Sequence, residues 1–236
     1  AHGTTGILPT TMSAPFETLL QVSELIGHAI ETNVLDGAKI LGLHLEGPWL
    51  NPEFKGAQSI TGIRRPSIEE LDALIKASSG NIRMITVAPE MPGALDLIKH
   101  AADSGIKVSL GHSSATYEQV IQAVQAGATH VTHAYNAMSG LHHRCPGMVG
   151  AMLSCDKLTA DVILDGFHLH CAAAKILMKC KGKDRLALIT DATMAAGMPN
   201  GRYELGGQEV IFRDGAVRLP CGNLAGSALT LDNAVK

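Results

Sequence analysis

The chain has 236 residues, 46% of them hydrophobic, enough for the buried core of one α/β domain. A net charge of −3 without a Lys/Arg stripe and an aromatic content of 3% argue against a nucleic-acid partner. No segment has the apolar length of a membrane span, and no signal peptide is visible, so no membrane partner is expected.

In chain order, apolar β-rich runs alternate with amphipathic helical stretches. GILPTTM (6–12) and ILGLHLEG (40–47) read as the first two strands. Ser67 and Glu70 have capping-box spacing at the start of SIEELDALIKA (67–77). The strand RMITVAPE (83–90) precedes a helix, ALDLIKHAADSG, that stops at Gly105. KVSLGH (107–112) is the next strand, and Thr116 with Gln119 opens TYEQVIQAVQAG, which stops at Gly127. HVTHAYN (130–136), TADVILDG (159–166) and RLALITDA (185–192) complete seven predicted strands. Alternating strand and helix predicts a parallel sheet with covering helices. The expected fold is a TIM-like (β/α)8 metal-dependent hydrolase barrel, lacking its first strand and C-terminal part. A doubly wound open sheet is the alternative. RYELGGQEVIFRDGAVRL (202–219) alternates and contains Asp214-Gly215, which predicts a β-hairpin outside the barrel. The whole of 1–236 reads as a single catalytic domain. Its opening Ala-His-Gly-Thr-Thr and its closing LTLDNAVK, a helix just beginning, are expected to be cuts through structure.

Glu46, His112, His133 and Asp191 each close one of these apolar runs. Barrel active sites collect where strands open into loops, so four such residues on four strand ends point to chemistry. His44 and Glu46 are two apart and share a face; His44 reads as a support rather than a ligand. His130 and His133 are three apart, so on a regular strand only one lines the barrel, and His133 is nearer the end. One carboxylate and two imidazoles suit zinc or another borderline divalent ion and leave a position for water. Asp191 is placed to move a proton between that water and a leaving group, or else to cap a helix. His142, His143 and Arg144 sit in a Gly/Pro-bounded loop, LHHRCPG, where a guanidinium fork suits a phosphate. His168 lies just past another strand end, and Gly226 in GNLAGSALT lets backbone approach a ligand. The latter is not a GxxxxGK[ST] loop, which disfavours nucleotide hydrolysis. Five scattered cysteines with no CxxC pair predict reduced thiols and a cytoplasmic protein.

Together GTTGILPT (3–10), LHLEGPWLNPEFKGA (43–57), GHSSAT (111–116), THAYNAM (132–138), LHHRCPG (141–147), DGFH (165–168), TDAT (190–193) and LAGS (224–227) carry a family resemblance. The chain resembles the N-acetylglucosamine-6-phosphate deacetylases of the amidohydrolase superfamily across essentially its whole length. LHLEGPWLN and the H-x-x-NAM segment are the specific motifs. The resemblance implies the barrel fold and removal of acetate from the 2-acetamido group of a phosphorylated amino sugar. It implies Glu46, His112 and His133 as metal ligands. From the ligand types, at least one divalent ion per chain is expected, zinc first, with iron, manganese or cobalt as alternatives. It implies Asp191 as the catalytic acid/base and His168 as a catalytic contact near the amide. Ala57, Asn136, Ala137, Leu224, Ala225 and Gly226 match substrate contacts. Arg144, helped by His143, would hold the phosphate across a subunit boundary, which implies a homodimer. Cys145 departs from the family's usual acid in HHREPG. The family's HxH strand would lie upstream of Ala1, and its C-terminal β-sandwich strands are missing. The rival expectations are a deaminase or cyclic-amide hydrolase on the same barrel, which the anion-binding loop disfavours, and an inactive phosphosugar-binding fragment.

Overall fold

The computed structural model describes residues 2–32 and 37–236. Two short parallel strands, β1 (Gly6–Ile7) and β3 (Lys39–Ile40), pair outside the main sheet. The seven strands of that sheet are β2 (Thr10–Thr11), β4 (Leu43–Glu46), β5 (Ile82–Val87), β6 (Lys107–Leu110), β7 (His130–Val131), β8 (Thr159–Ile163) and β9 (Leu186–Ile189). They lie in sequence order, and every neighbouring pair is parallel. Helices α1 (Phe16–Thr32), α2 (Ile68–Ala77), α3 (Ala94–Asp103), α4 (Tyr117–Ala126), α5 (Gly147–Ser154) and α6 (Cys171–Lys181) lie between these strands. Residues from β2 at one edge and β9 at the other line one cavity, so the sheet curls around it as a TIM-like half-barrel. The barrel expected from the sequence is the fold observed; the doubly wound sheet is not.

The helix boundaries follow local chemistry. Thr116 Oγ1 accepts the N–H of Gln119 (3.3 Å), and the Gln119 carboxamide accepts the N–H of Thr116 (2.9 Å), a complete capping box. Gly127, with φ +124°, closes α4. At α2 only half of the box forms. Ser67 accepts from the Glu70 N–H, but the Glu70 carboxylate turns to Arg64 Nε (2.8 Å) and Trp49 Nε1 (3.3 Å).

Strand parity positions the site. Leu43 and Leu45 face outward into the core shared with α1 and α2, while His44 and Glu46 face the cavity. The interior beneath the site is polar. His44 Nε2 lies 2.8 Å from Thr86 Oγ1, and Thr132 Oγ1 lies 2.7 Å from Thr86 Oγ1 and 2.6 Å from Ser109 Oγ, so these three buried hydroxyls each have a partner.

The segment expected to be one hairpin is a three-stranded antiparallel sheet: β10 (Gly201–Leu205), β11 (Gln208–Arg213) and β12 (Ala216–Arg218). Both connections are two-residue turns with both residues at positive φ, Gly206-Gly207 and Asp214-Gly215. Asp214-Gly215 is the turn expected from the sequence; Gly206-Gly207 reverses the chain equally well. The sheet has its own small core of Ala195, Val210, Val217, Leu219 and Ala225. Gln208 Nε2 donates to the Ala57 carbonyl (2.8 Å), tying the sheet to the loop after β4. A short helix, α7 (Leu231–Val235), ends the chain.

Candidate active site

The curled sheet encloses a cavity of about 800 Å³, within the size range of small-molecule sites. Glu46 closes β4, and His112 and His133 follow β6 and β7 in the loops at the C-terminal strand ends. Their donor atoms converge. Glu46 Oε1 lies 3.0 Å from His112 Nε2 and 3.6 Å from His133 Nε2, and the two ring nitrogens are 3.0 Å apart. All three residues are buried, and their donor atoms lie within 4.8 Å of one another.

The donor chemistry fits a borderline divalent cation. A carbonyl only accepts, so His112 Nδ1 donates its hydrogen to the Phe54 carbonyl (2.8 Å), which leaves the Nε2 lone pair facing the other donors. Gln58 fixes Glu46: its Oε1 accepts the Ser13 N–H (2.6 Å), so its Nε2 donates to Glu46 Oε1 (2.9 Å). The local charge is consistent with a cation. Burial opposes ionisation of Glu46, yet hydrogen bonds and charge from His112 and His133 hold it well below the usual carboxylate range. Burial also opposes the charged form of His133, but the Glu46 hydrogen bond and charge, with Asp191 and Asp161, raise it to about 9. Such crowding of positive charge between carboxylates is what a bound cation would replace.

Asp191 follows β9 and lines the same cavity. Turns, not an α-helix, follow it, so it does not cap a helix. Its main-chain oxygen accepts the Ser227 N–H (2.8 Å), which brings the loop of Gly226 against it. A Cβ on Gly226 would sit 2.5 Å from Thr193 Cγ2 and 3.0 Å from the Asp191 carbonyl. Burial, then the Glu46 charge, push the Asp191 carboxyl up to about 6, against the pull of His133 and His168. His168 also lines the cavity. Its Nδ1 donates to Asp165 Oδ2 (2.7 Å), while Asp165 Oδ1 accepts the N–H groups of Phe167 and His168. Burial pushes Asp165 upward, but these hydrogen bonds outweigh it and hold its pKa low.

Backbone strain gathers here. Seven non-glycine residues of the described chain have positive φ, and four of them (His112, His133, Ala137 and Asp191) line the cavity. Such conformations cost of order 1–3 kcal/mol each and persist only where the surroundings hold them.

Of the substrate contacts implied by the sequence, Ala57, Asn136, Ala137, Leu224 and Gly226 line the cavity. Ala225 does not: it is fully buried in the small core, and its N–H donates to the Val217 carbonyl (3.0 Å). His143 and Arg144 lie on an exposed loop outside the cavity, with Arg144 Nη1 2.6 Å from His143 Nε2. The expectation that only one of His130 and His133 faces inward fails, because both line the cavity. β7 ends at Val131 and His133 has φ +33°, so strict alternation stops before it. Sequence reading missed Gln58 and Asp161. Gln58 directly follows the Ala57 motif, but nothing in that spacing says it meets Glu46. His44 lines the cavity without joining the convergent donors, as a support would.

The amidohydrolase family profile matches residues 1–198. N-acetylgalactosamine-6-phosphate deacetylase of Escherichia coli O157:H7 is 46% identical over 97% of this chain and 60% of its own length. N-acetylglucosamine-6-phosphate deacetylase of Lysinibacillus sphaericus is 42% identical over 100% of this chain and 60% of its own. Among solved structures, a mutant N-acetyl-D-glucosamine-6-phosphate deacetylase from Mycobacterium smegmatis, in complex with N-acetyl-D-glucosamine-6-phosphate, superposes with a TM-score of 0.94 at 34% identity. That match covers 99% of this chain and 60% of that one. The Thermotoga maritima N-acetylglucosamine-6-phosphate deacetylase gives 0.91 at 35% identity, covering 99% and 62%. The chain thus spans about three fifths of the length of these relatives.

Proposed function

The chain belongs to the amidohydrolase family, and from that premise we propose that it carries the catalytic domain of a metal-dependent deacetylase of N-acetyl-D-glucosamine 6-phosphate. The observation that carries this reading is the convergence of Glu46, His112 and His133 in one cavity with Asp191 and His168. Those three residues would hold a divalent cation, zinc by preference, which when bound would supply Lewis acidity and lower the pKa of water toward neutrality. The chain's own residues do the rest. Asp191 takes a proton from the attacking water and returns it to the departing nitrogen, a role suited to a carboxyl raised toward the working pH. His168, braced at Nδ1 by Asp165 and carrying a proton on each ring nitrogen, donates its Nε2–H to the amide oxygen as charge develops there. Ala57, Asn136, Ala137, Leu224 and Gly226 shape the sugar pocket. Arg144 and His143 take the phosphate, reaching into the cavity of the second subunit of a homodimer. The five free cysteines fit a reducing, cytoplasmic setting, and no described helix is long and apolar enough to cross a membrane.

The decisive assay is acetate release from the phosphosugar by protein loaded in turn with zinc, iron, manganese and cobalt. No acetate with any metal, alongside ammonia from an adenine panel or opening of a dihydropyrimidine, would move the chemistry to another amidohydrolase reaction. Calorimetric binding of the phosphosugar without acetate would leave a binding protein. The 46% identity to an N-acetylgalactosamine-6-phosphate deacetylase favours one second reading. The two sugars differ only in the configuration at C4, so the ratio of kcat/KM for the two epimers decides between them.

A further inference from the structure

Asp161 and His130 are buried at the floor of the cavity, and the chemistry above uses neither. Asp161, on β8, faces the end of β7, where the chain leaves the sheet. One Asp161 carboxylate oxygen accepts the N–H of His133, and the Asp161 main-chain oxygen accepts the N–H of Ala134 (2.9 Å). Two successive N–H groups at the turn therefore end on one residue. The second carboxylate oxygen lies 3.1 Å from His130 Nε2, and His130 Nδ1 lies 2.6 Å from Thr159 Oγ1. A carboxylate with both oxygens engaged by protein cannot also turn toward the convergent donors, and Asp161 stands outside that group. His133 holds φ +33°, which a non-glycine residue leaves unless something rewards it. Without an acceptor its buried N–H would be unpaired, and relaxation toward ordinary φ would swing the ring away from Glu46 and His112.

We infer that Asp161, oriented by His130, is a positioning residue that fixes the backbone of His133 so that its imidazole meets the metal. The inference rests on the reading of Glu46, His112 and His133 as a metal site. It is tested by titrating metal-free protein with Co²⁺ and following the visible d–d band. Asp161→Ala is expected to weaken Co²⁺ affinity about 10–100-fold, the usual effect of losing a ligand's orienting partner, and to diminish the band. Asp161→Asn keeps an acceptor for the His133 N–H and can donate to His130 Nε2, so its affinity should stay within about threefold of the parent. An Asp161→Ala protein with lowered thermal midpoint but parental affinity and spectrum would show a merely structural role and overturn the inference. So would Asp161→Asn matching Asp161→Ala. If Asp161→Ala does not fold, His130→Ala decides: a loss of about three- to tenfold supports the inference, and parental affinity overturns it. His133→Ala separates the two levels. If it binds Co²⁺ as tightly as the parent, the metal reading itself fails; if it binds weakly while Asp161→Ala binds normally, only the positioning fails.

Discussion

Glu46, His112 and His133 are 8%, 5% and 5% exposed, and each has a dedicated partner in Gln58, the Phe54 carbonyl or Asp161. His143 and Arg144 lie on an exposed loop; their side chains are described as hydrogen-bonded only to each other, and the Arg144 main-chain N–H donates to His142 Nδ1 (3.3 Å). The first region is organised by this chain alone, at the expense of positive-φ backbone at both histidines. In the proposed homodimer the second would become a binding site only when the partner subunit supplies its surroundings. Under that proposal the chemistry is preorganised within one chain, and recognition of the anion is left to assembly.

The largest effects belong to the organised region. Stripping metal with a chelator should abolish acetate release, and added divalent zinc or cobalt should restore it. A full rate in metal-free protein would end the metal reading. Asp191→Asn removes the proton carrier and should lower kcat about 10²–10⁴-fold while the metal stays bound. Turnover within a few fold of the parent, or loss of metal from that variant, rejects the assignment of Asp191.

Next in size is the loop. Arg144→Ala should raise KM about 10- to 100-fold, the loss expected for a charge-assisted phosphate contact of about 1.5–3 kcal/mol, with kcat changed far less. Its dependence on assembly is directly testable. In the proposed homodimer an Arg144→Ala subunit would lack the guanidinium it lends, and an Asp191→Asn subunit the proton carrier of its own cavity. Mixed dimers then contain one intact site of two. Random exchange makes half of the dimers mixed, so about a quarter of parental activity should return. No recovery after demonstrated exchange would place Arg144 in its own subunit's site.

Acid titration gives a smaller, graded effect. As the proposed base Asp191 must be unprotonated, so kcat/KM should fall about tenfold per pH unit below its pKa. Burial and Glu46 raise that carboxyl to about 6, and a bound cation stabilises the ionised form. The acidic limb should therefore sit at or below about 6 and be missing from Asp191→Asn. A limb above 7 belongs to another group.

The same contrast decides what could be read from the residues. Glu46 was legible because β4 keeps one register with β5 from His44 to Glu46, past a shift between Leu43 and His44, so parity put it inside with His44 and turned Leu45 out. Thr116 and Gln119 were legible because a capping box is local. Parity failed at His130 and His133 because β7 spans two residues and the chain then turns into a left-handed conformation. Gln58 and Asp161 left no signal, since each acts on a residue at least 12 positions away that only the closed sheet brings near. The guanidinium of Arg144 suggested a phosphate from the sequence, but its proposed reach across a subunit boundary came from family likeness, because Arg144 lies outside this chain's cavity.

The smallest effect should come from Cys145→Glu, which restores the acid common in this loop. Cys145 is exposed, and its main chain already pairs with His142, the Cys145 N–H donating to the His142 carbonyl at 3.1 Å. The loop's shape therefore does not depend on the side chain at 145. A new carboxylate beside a solvated guanidinium is worth well under 1 kcal/mol, and a surface substitution of this kind leaves stability within about 0.5 kcal/mol. KM should change by less than about threefold, with kcat and metal affinity untouched. A tenfold change in KM would mean that the loop is held by contacts at 145 in the assembled enzyme, and that the anion-binding region is as tightly built there as the metal-binding region is in one chain.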